Sequence, residues 1–126
     1  MSANERKVLT MSDAPILSGV NVVTDLDAAG DFEKKHTPYI EAVREGDRVV
    51  VTVKVGHYVA HPNQPDHFIE WIAVHAAGVP VARFDLSAVA VEPVVTCTLA
   101  VDAGTPLAAM ESCNLHGVWV AETTAP

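Results

Sequence analysis

Val49-Val50-Val51-Thr52-Val53-Lys54-Val55 places valine at every odd position and sets Thr52 and Lys54 on the opposite parity. β-Branched residues repeating every two positions specify a strand with one buried face and disfavour a helix. Glu45-Gly46-Asp47 is a hairpin signal that joins this run to a preceding strand over Tyr39–Val43. Further strands are predicted over Phe68–Val74, Val79–Leu86, Val94–Val101, Thr105–Ser112 and Gly117–Glu122, punctuated by Ala77-Gly78 and Asp102-Ala103-Gly104. No window of ten or more residues carries a helical stripe. About seven short strands with frequent turns predict an all-β protein, an antiparallel β-sandwich.

The 126 residues suit one domain. Residues 31–126 are expected to form it. Residues 1–30 are expected to be a loose amino-terminal arm and a covering segment, with turn signals on both sides of Val20–Val23. Sixteen acidic side chains against eight basic ones give a formal charge of −8. A nucleic-acid or anionic-membrane partner needs a basic face, so neither is expected. No apolar run is long enough to span a bilayer, and the first residues lack the apolar core of a secretory signal; a cytoplasmic location is expected. Only two cysteines, Cys97 and Cys113, exclude a disulfide scaffold and a four-thiolate zinc site.

Six histidines in so short a chain carry the chemistry. His36 precedes Thr37-Pro38, His61 and His67 bracket Pro62-Asn63-Gln64-Pro65-Asp66, and His116 follows Cys113 by three residues. All four are expected in loops or at strand ends, where a sheet presents ligands. Cys113 and His116 can converge through one tight turn relaxed by Gly117. His75 lies eight residues beyond His67, roughly 26 Å along a strand at about 3.3 Å per residue, too far to share an ion. His57, after Gly56 at a strand end, reads as solvated, with its nearness to His61 keeping it a weak alternative, and Cys97 reads as a buried, inert thiol on the apolar face of its strand. The candidate set is four imidazoles and one thiolate. Tetrahedral zinc takes four ligands and blue copper takes two histidines, a cysteine and a methionine. Four nitrogens in a plane with sulfur on the axis suit iron, and leave the position opposite sulfur for a small molecule.

Three segments carry a resemblance: Lys35-His36-Thr37-Pro38; His61-Pro62-Asn63 with His67-Phe68-Ile69-Glu70-Trp71-Ile72; and Cys113-Asn114-Leu115-His116-Gly117-Val118-Trp119. In order and spacing they resemble the superoxide reductase family, the neelaredoxin and desulfoferrodoxin iron proteins, over about Glu33 to Trp119. The resemblance implies a seven-stranded immunoglobulin-like sandwich. It implies one iron per chain, cycling between Fe(2+) and Fe(3+), with His36, His61, His67 and His116 equatorial and Cys113 axial. The small four-cysteine iron module of some relatives has no cysteines here to build it, so the chain resembles the one-iron type.

The activity implied is one-electron reduction of superoxide to hydrogen peroxide, with electrons from a rubredoxin-like donor and, by family resemblance, a homotetrameric assembly. Lys35 resembles the family lysine that draws superoxide to the iron. Trp71 and Trp119 read as core packing. One departure stands out: where the family has glutamate two residues before the first histidine ligand, capping the oxidised iron, this chain has Lys34, and Glu33 comes one residue too early. A non-catalytic metal-binding or electron-transfer module on the same fold is the alternative reading.

Overall fold

The computed structural model of the chain describes residues 7–8 and 19–126. Its elements are β1 (Lys7–Val8), β2 (Val20–Val22), α1 (Asp31–His36), β3 (Tyr39–Glu45), β4 (Arg48–Lys54), β5 (Ile69–Ala76), β6 (Val79–Asp85), β7 (Val94–Leu99), β8 (Pro106–Cys113) and β9 (Gly117–Thr124). Strands β3 to β9 are the seven expected, with ends displaced by a few residues. Two sheets face one another. One is six-stranded in the order β1-β2-β9-β8-β5-β6, and the other three-stranded in the order β3-β4-β7.

The valine run does what its parity dictates. Val49, Val51 and Val53 are buried on β4, opposite Leu99, Cys97 and Val95 of β7. They pack against Ile72 and Val74 of β5 and Leu107 and Ala109 of β8, which form one core with them. The β3–β4 hairpin closes through Gly46-Asp47, with Gly46 at φ 63 and Glu45 paired to Arg48. A glycine in the left-handed region at the first turn position matches the right-handed twist of the flanking strands.

Three features depart from the sequence expectation. Val20–Val22 is a strand of the larger sheet, and it runs parallel to β9, so the sandwich is not wholly antiparallel. The buried Asn21 side chain donates to the Val118 carbonyl (3.0 Å) and fastens that edge. Most of the expected amino-terminal arm lies outside the described residues. The third departure is α1, a six-residue helix whose last residue is His36. Asp31 and Glu33 occupy its first turn and Lys34, Lys35 and His36 its last, the charge order that complements a helix dipole. Pro38 biases Thr37 to extended backbone (ψ 122°) and stops it. No helix among the described residues is long and apolar enough to cross a membrane.

Helix α1, the loops preceding β5 and β9 and the end of β8 carry the candidate donors: His36 ends the helix and so is not in the loop or strand end expected of it, His61, His67 and His116 lie in the loops, and Cys113 ends β8. The core away from them is purely structural. Leu107→Ala, at a site 1% exposed, is therefore expected to cost about 2–5 kcal/mol in urea denaturation of the metal-free protein. Val81→Ala on the exposed face of β6 is expected to change stability by less than about 0.5 kcal/mol.

Candidate metal centre

Imidazole rings need to be aimed as well as gathered, and the backbone aims two of them. His36 Nδ1–H donates to the Phe32 carbonyl one helical turn back (2.7 Å). His61 Nδ1–H donates to the carbonyl of Pro62 (2.7 Å). A carbonyl only accepts, so each Nδ1 carries the proton and each Nε2 is left with its lone pair. The backbone of His61 itself approaches Gly56 so closely that a Cβ there would lie 2.9 Å from the His61 nitrogen, and Gly56 has φ +88. Only glycine fits that position.

The four rings close into a cycle. His36–His61, His61–His67, His67–His116 and His116–His36 centroids are 4.9, 4.8, 5.2 and 4.9 Å apart, each pair inclined at 70–78°. His61 thus lies across from His116, and His36 across from His67. The ligating atoms of His36, His61, His67 and Cys113 all fall within 4.8 Å of one another. His116 joins through its Nδ1, 3.7 Å from Cys113 Sγ. Gly117 (φ 80) follows it and returns the chain so that Cys113 pairs with Gly117 across the β8–β9 turn. All five candidate donors are brought together.

The fit to a cation rests on what these nitrogens lack. Nε2 of His36, of His61 and of His67 are buried without a hydrogen-bond partner. A buried polar atom without a partner is costly, and three converging on one place need a common acceptor of lone pairs. A metal ion meets that need, with the Nδ1–H···O=C bonds behind it as the usual outer support of histidine ligands. The protonation states agree. Burial pulls His36 down to about 3 and His61 to about 4, and it also lowers His67 and His116. Burial pushes the Cys113 thiol up, against the backbone N–H groups of Leu115 and His116, which favour the thiolate.

Lys35 lies close enough to this cluster for its charge to reach it. Its charge lowers the pKa of all four imidazoles, while its Nζ lies 5.7 Å from the centre of the Phe32 ring. Phe32 in turn contacts the rings of His36, His116 and Trp119. Trp119 is buried as expected, but it is also a wall of the site: it stacks on His36 (4.9 Å, 15°) and donates from Nε1 to the His116 carbonyl (3.0 Å). Glu33 is buried with Oε1 against Gly30, 3.2 Å from where a Cβ would stand, and it is not among the clustered donors.

Cys97 is half-buried rather than fully buried, because β7 is the edge of the smaller sheet; its thiol is pushed up by what burial it has. His57 is exposed and stacks on Tyr39 at 3.8 Å, and His75 sits on β5; neither joins the cluster. Two residues of the site escaped the sequence reading. Glu111, fully buried opposite Trp119, has a pKa raised well above the carboxylate range by desolvation, which the Cys113 backbone N–H only tempers. Its parity with Leu107, Ala109 and Cys113 on β8 was the available signal. Asn114 bridges the loop of Cys113 to the residues on either side of His67.

A family model described as desulfoferrodoxin matches residues 28–122. The chain belongs to the desulfoferrodoxin family. Within it, the chain is 38% identical over 101 residues to the superoxide reductase of Pyrococcus horikoshii, covering 72% of this chain and 88% of that protein. It is 31% identical over 122 residues to the superoxide reductase of Pyrococcus furiosus, covering 82% and 98%. The solved structure of the superoxide reductase (neelaredoxin) of Archaeoglobus fulgidus in the reduced form superposes with a TM-score of 0.66 at 33% identity, covering 76% of this chain and 94% of that one.

The protonation states set a measurable stoichiometry. At pH 7 the imidazoles are already neutral and the thiol is protonated, so binding one divalent ion to the metal-free protein is expected to release about one proton, from Cys113. Affinity then rises about tenfold per pH unit until the thiol ionises. Calorimetry with cobalt(II) in buffers of different ionisation enthalpy measures the release. Cys113→Ser should abolish it, Cys97→Ser should not, and a release of two or more protons would mean that histidines are charged at pH 7.

Proposed function

We propose that this chain is a superoxide reductase, and that His36, His61, His67, His116 and Cys113 hold its single iron. The observation that carries the reading is the cycle of four imidazoles beside one thiol, with three Nε2 atoms buried and unpartnered, under the charge of Lys35. Four nitrogens and a sulfur exceed what tetrahedral zinc takes, and a mixed imidazole–thiolate set suits a redox ion. Iron held by these residues would supply the one electron that, with two protons, converts superoxide to hydrogen peroxide.

The chain's own residues do the rest. The neutral imidazoles leave the net charge of the site to the metal and the thiolate. The N–H groups of Leu115 and His116 stabilise the thiolate of Cys113 against its own burial. Lys35 is a half-buried cation beside the cluster, and it provides the attraction that a protein of charge −8 as a whole does not. Charges farther off than about 8 Å are screened at physiological ionic strength, so this local field governs the approach of a small anion. Each turnover consumes an electron from outside the chain; a small one-electron carrier of the rubredoxin kind is the donor we propose. Both cysteines are free thiols, which supports a reducing, cytoplasmic setting.

Pulse-generated superoxide mixed with the ferrous protein tests the reading. One peroxide per superoxide, without oxygen release, is expected; oxygen evolution or slow consumption would favour a dismutase or a non-catalytic metal module. Lys35→Ala should lower the second-order rate by about tenfold and flatten its salt dependence while iron content stays normal.

Lys34 provides a separate test. With lysine where the family has glutamate, the oxidised site lacks an internal carboxylate competitor, and Glu33 faces Gly30 instead. Azide is expected to bind the ferric protein more tightly than it binds a Lys34→Glu variant, whereas Glu33→Ala should leave azide affinity unchanged. Optical titration of the three proteins decides it.

A further inference from the structure

Two of the four imidazoles are oriented through the ring nitrogen that faces away from the cluster, His36 by Phe32 and His61 by Pro62, while His116 turns its Nδ1 toward Cys113 as a donor of the cluster itself. His67 is different. Among the described residues its ring makes no hydrogen bond, and its Nε2 is buried without a partner. Its backbone forms a two-way bridge with Gln64, His67 N–H to the Gln64 carbonyl (3.1 Å) and Gln64 N–H to the His67 carbonyl (2.9 Å). That bridge closes the loop upon itself, and Asn63 fastens its other side to Val89 and Val91 between β6 and β7, but neither holds the His67 end to the loop of Cys113.

Asn114 supplies the tie. Its Oδ1 accepts from Phe68 N–H (2.9 Å), its Nδ2 donates to the Asp66 carbonyl (3.0 Å), and its own N–H donates to the Phe68 carbonyl (3.2 Å). These contacts grip the residues immediately before and after His67, and Asn114 is itself the neighbour of Cys113. An amide side chain alone offers both an acceptor and a donor across such a span; aspartate lacks the donor and alanine lacks both.

We infer that Asn114 is the positioning residue for His67, locking that imidazole to the loop of the thiolate ligand so that the two enter the coordination sphere as one unit. This rests on the metal-centre reading above. It assigns His67 an outer support made of backbone clamps, where His36 and His61 have ring hydrogen bonds.

The test is a double-mutant cycle on the metal-free full-length protein, titrated with cobalt(II) and read by its visible absorption. Asn114→Ala is expected to weaken cobalt binding by about 10- to 100-fold, the usual effect of losing an outer-shell partner, and to shift the spectrum toward that of His67→Ala. In the His67→Ala background, Asn114→Ala should change affinity by less than about twofold, because the residue it acts through is gone. Asn114→Asp keeps the acceptor for Phe68 and should fall between wild type and Asn114→Ala; it gives the same decision if the alanine variant does not fold. Additive losses in the cycle, or an Asn114→Ala protein with unchanged affinity and spectrum, would overturn the inference. If His67→Ala itself leaves cobalt affinity and spectrum intact, the ligand assignment fails and this inference with it.

Discussion

An imidazole nitrogen removed from water has to meet a proton or a cation, and that requirement organises one whole end of this molecule. The hydrogen bonds from Nδ1 of His36 and His61 to backbone carbonyls decide which nitrogen keeps its lone pair. Once they are made, the Nε2 atoms have nowhere else to turn, because the surrounding walls are Phe32, Trp119 and the other rings. Short α1 exists to put a carbonyl one turn behind His36, and Gly56 exists to let His61 approach. Each local conformation is thus subordinate to satisfying a buried nitrogen.

The charge distribution works at a shorter range than composition suggests. Sixteen acids against eight bases describe the far field, yet Lys35 is felt by all four imidazoles. Elsewhere among the described residues the arginines are engaged: Arg48 with Asp47, Arg83 with Asp85, and Arg44 with the carbonyls of Val101 and Pro126. Lys35 is brought within reach of the imidazoles by the same helix that presents His36.

Much of this was legible in the sequence, and the exceptions have physical reasons. The alternation over Val49–Val55 is a property of single side chains, so it survives without neighbours and gave the sandwich directly. His36, His61, His67, Cys113 and His116 were legible because proline, glycine and short spacings limit where such residues can go. The six residues of α1 are too few to display a helical period, and Val20–Val22 is a strand only because β9 runs beside it. Glu111 was readable by parity but reads against its polarity. Asn114 required the register of β5 on β8, which no local pattern encodes.

The donors gathered at this centre are far apart along the chain. From His36 to His116 the sequence runs through every strand from β3 to β8, and the cluster is complete only when both sheets have closed. The pairs His61–His67 and Cys113–His116 are local, but gathering all five donors at once would demand the loop closure of nearly the whole domain in advance, so the complete site cannot precede the fold. The sandwich must come first, driven by the valine core at its middle, and the ion is captured afterwards by a finished vessel. Loading is in that sense an event in the life of the folded protein, governed by which metal is at hand and not by the kinetics of the chain.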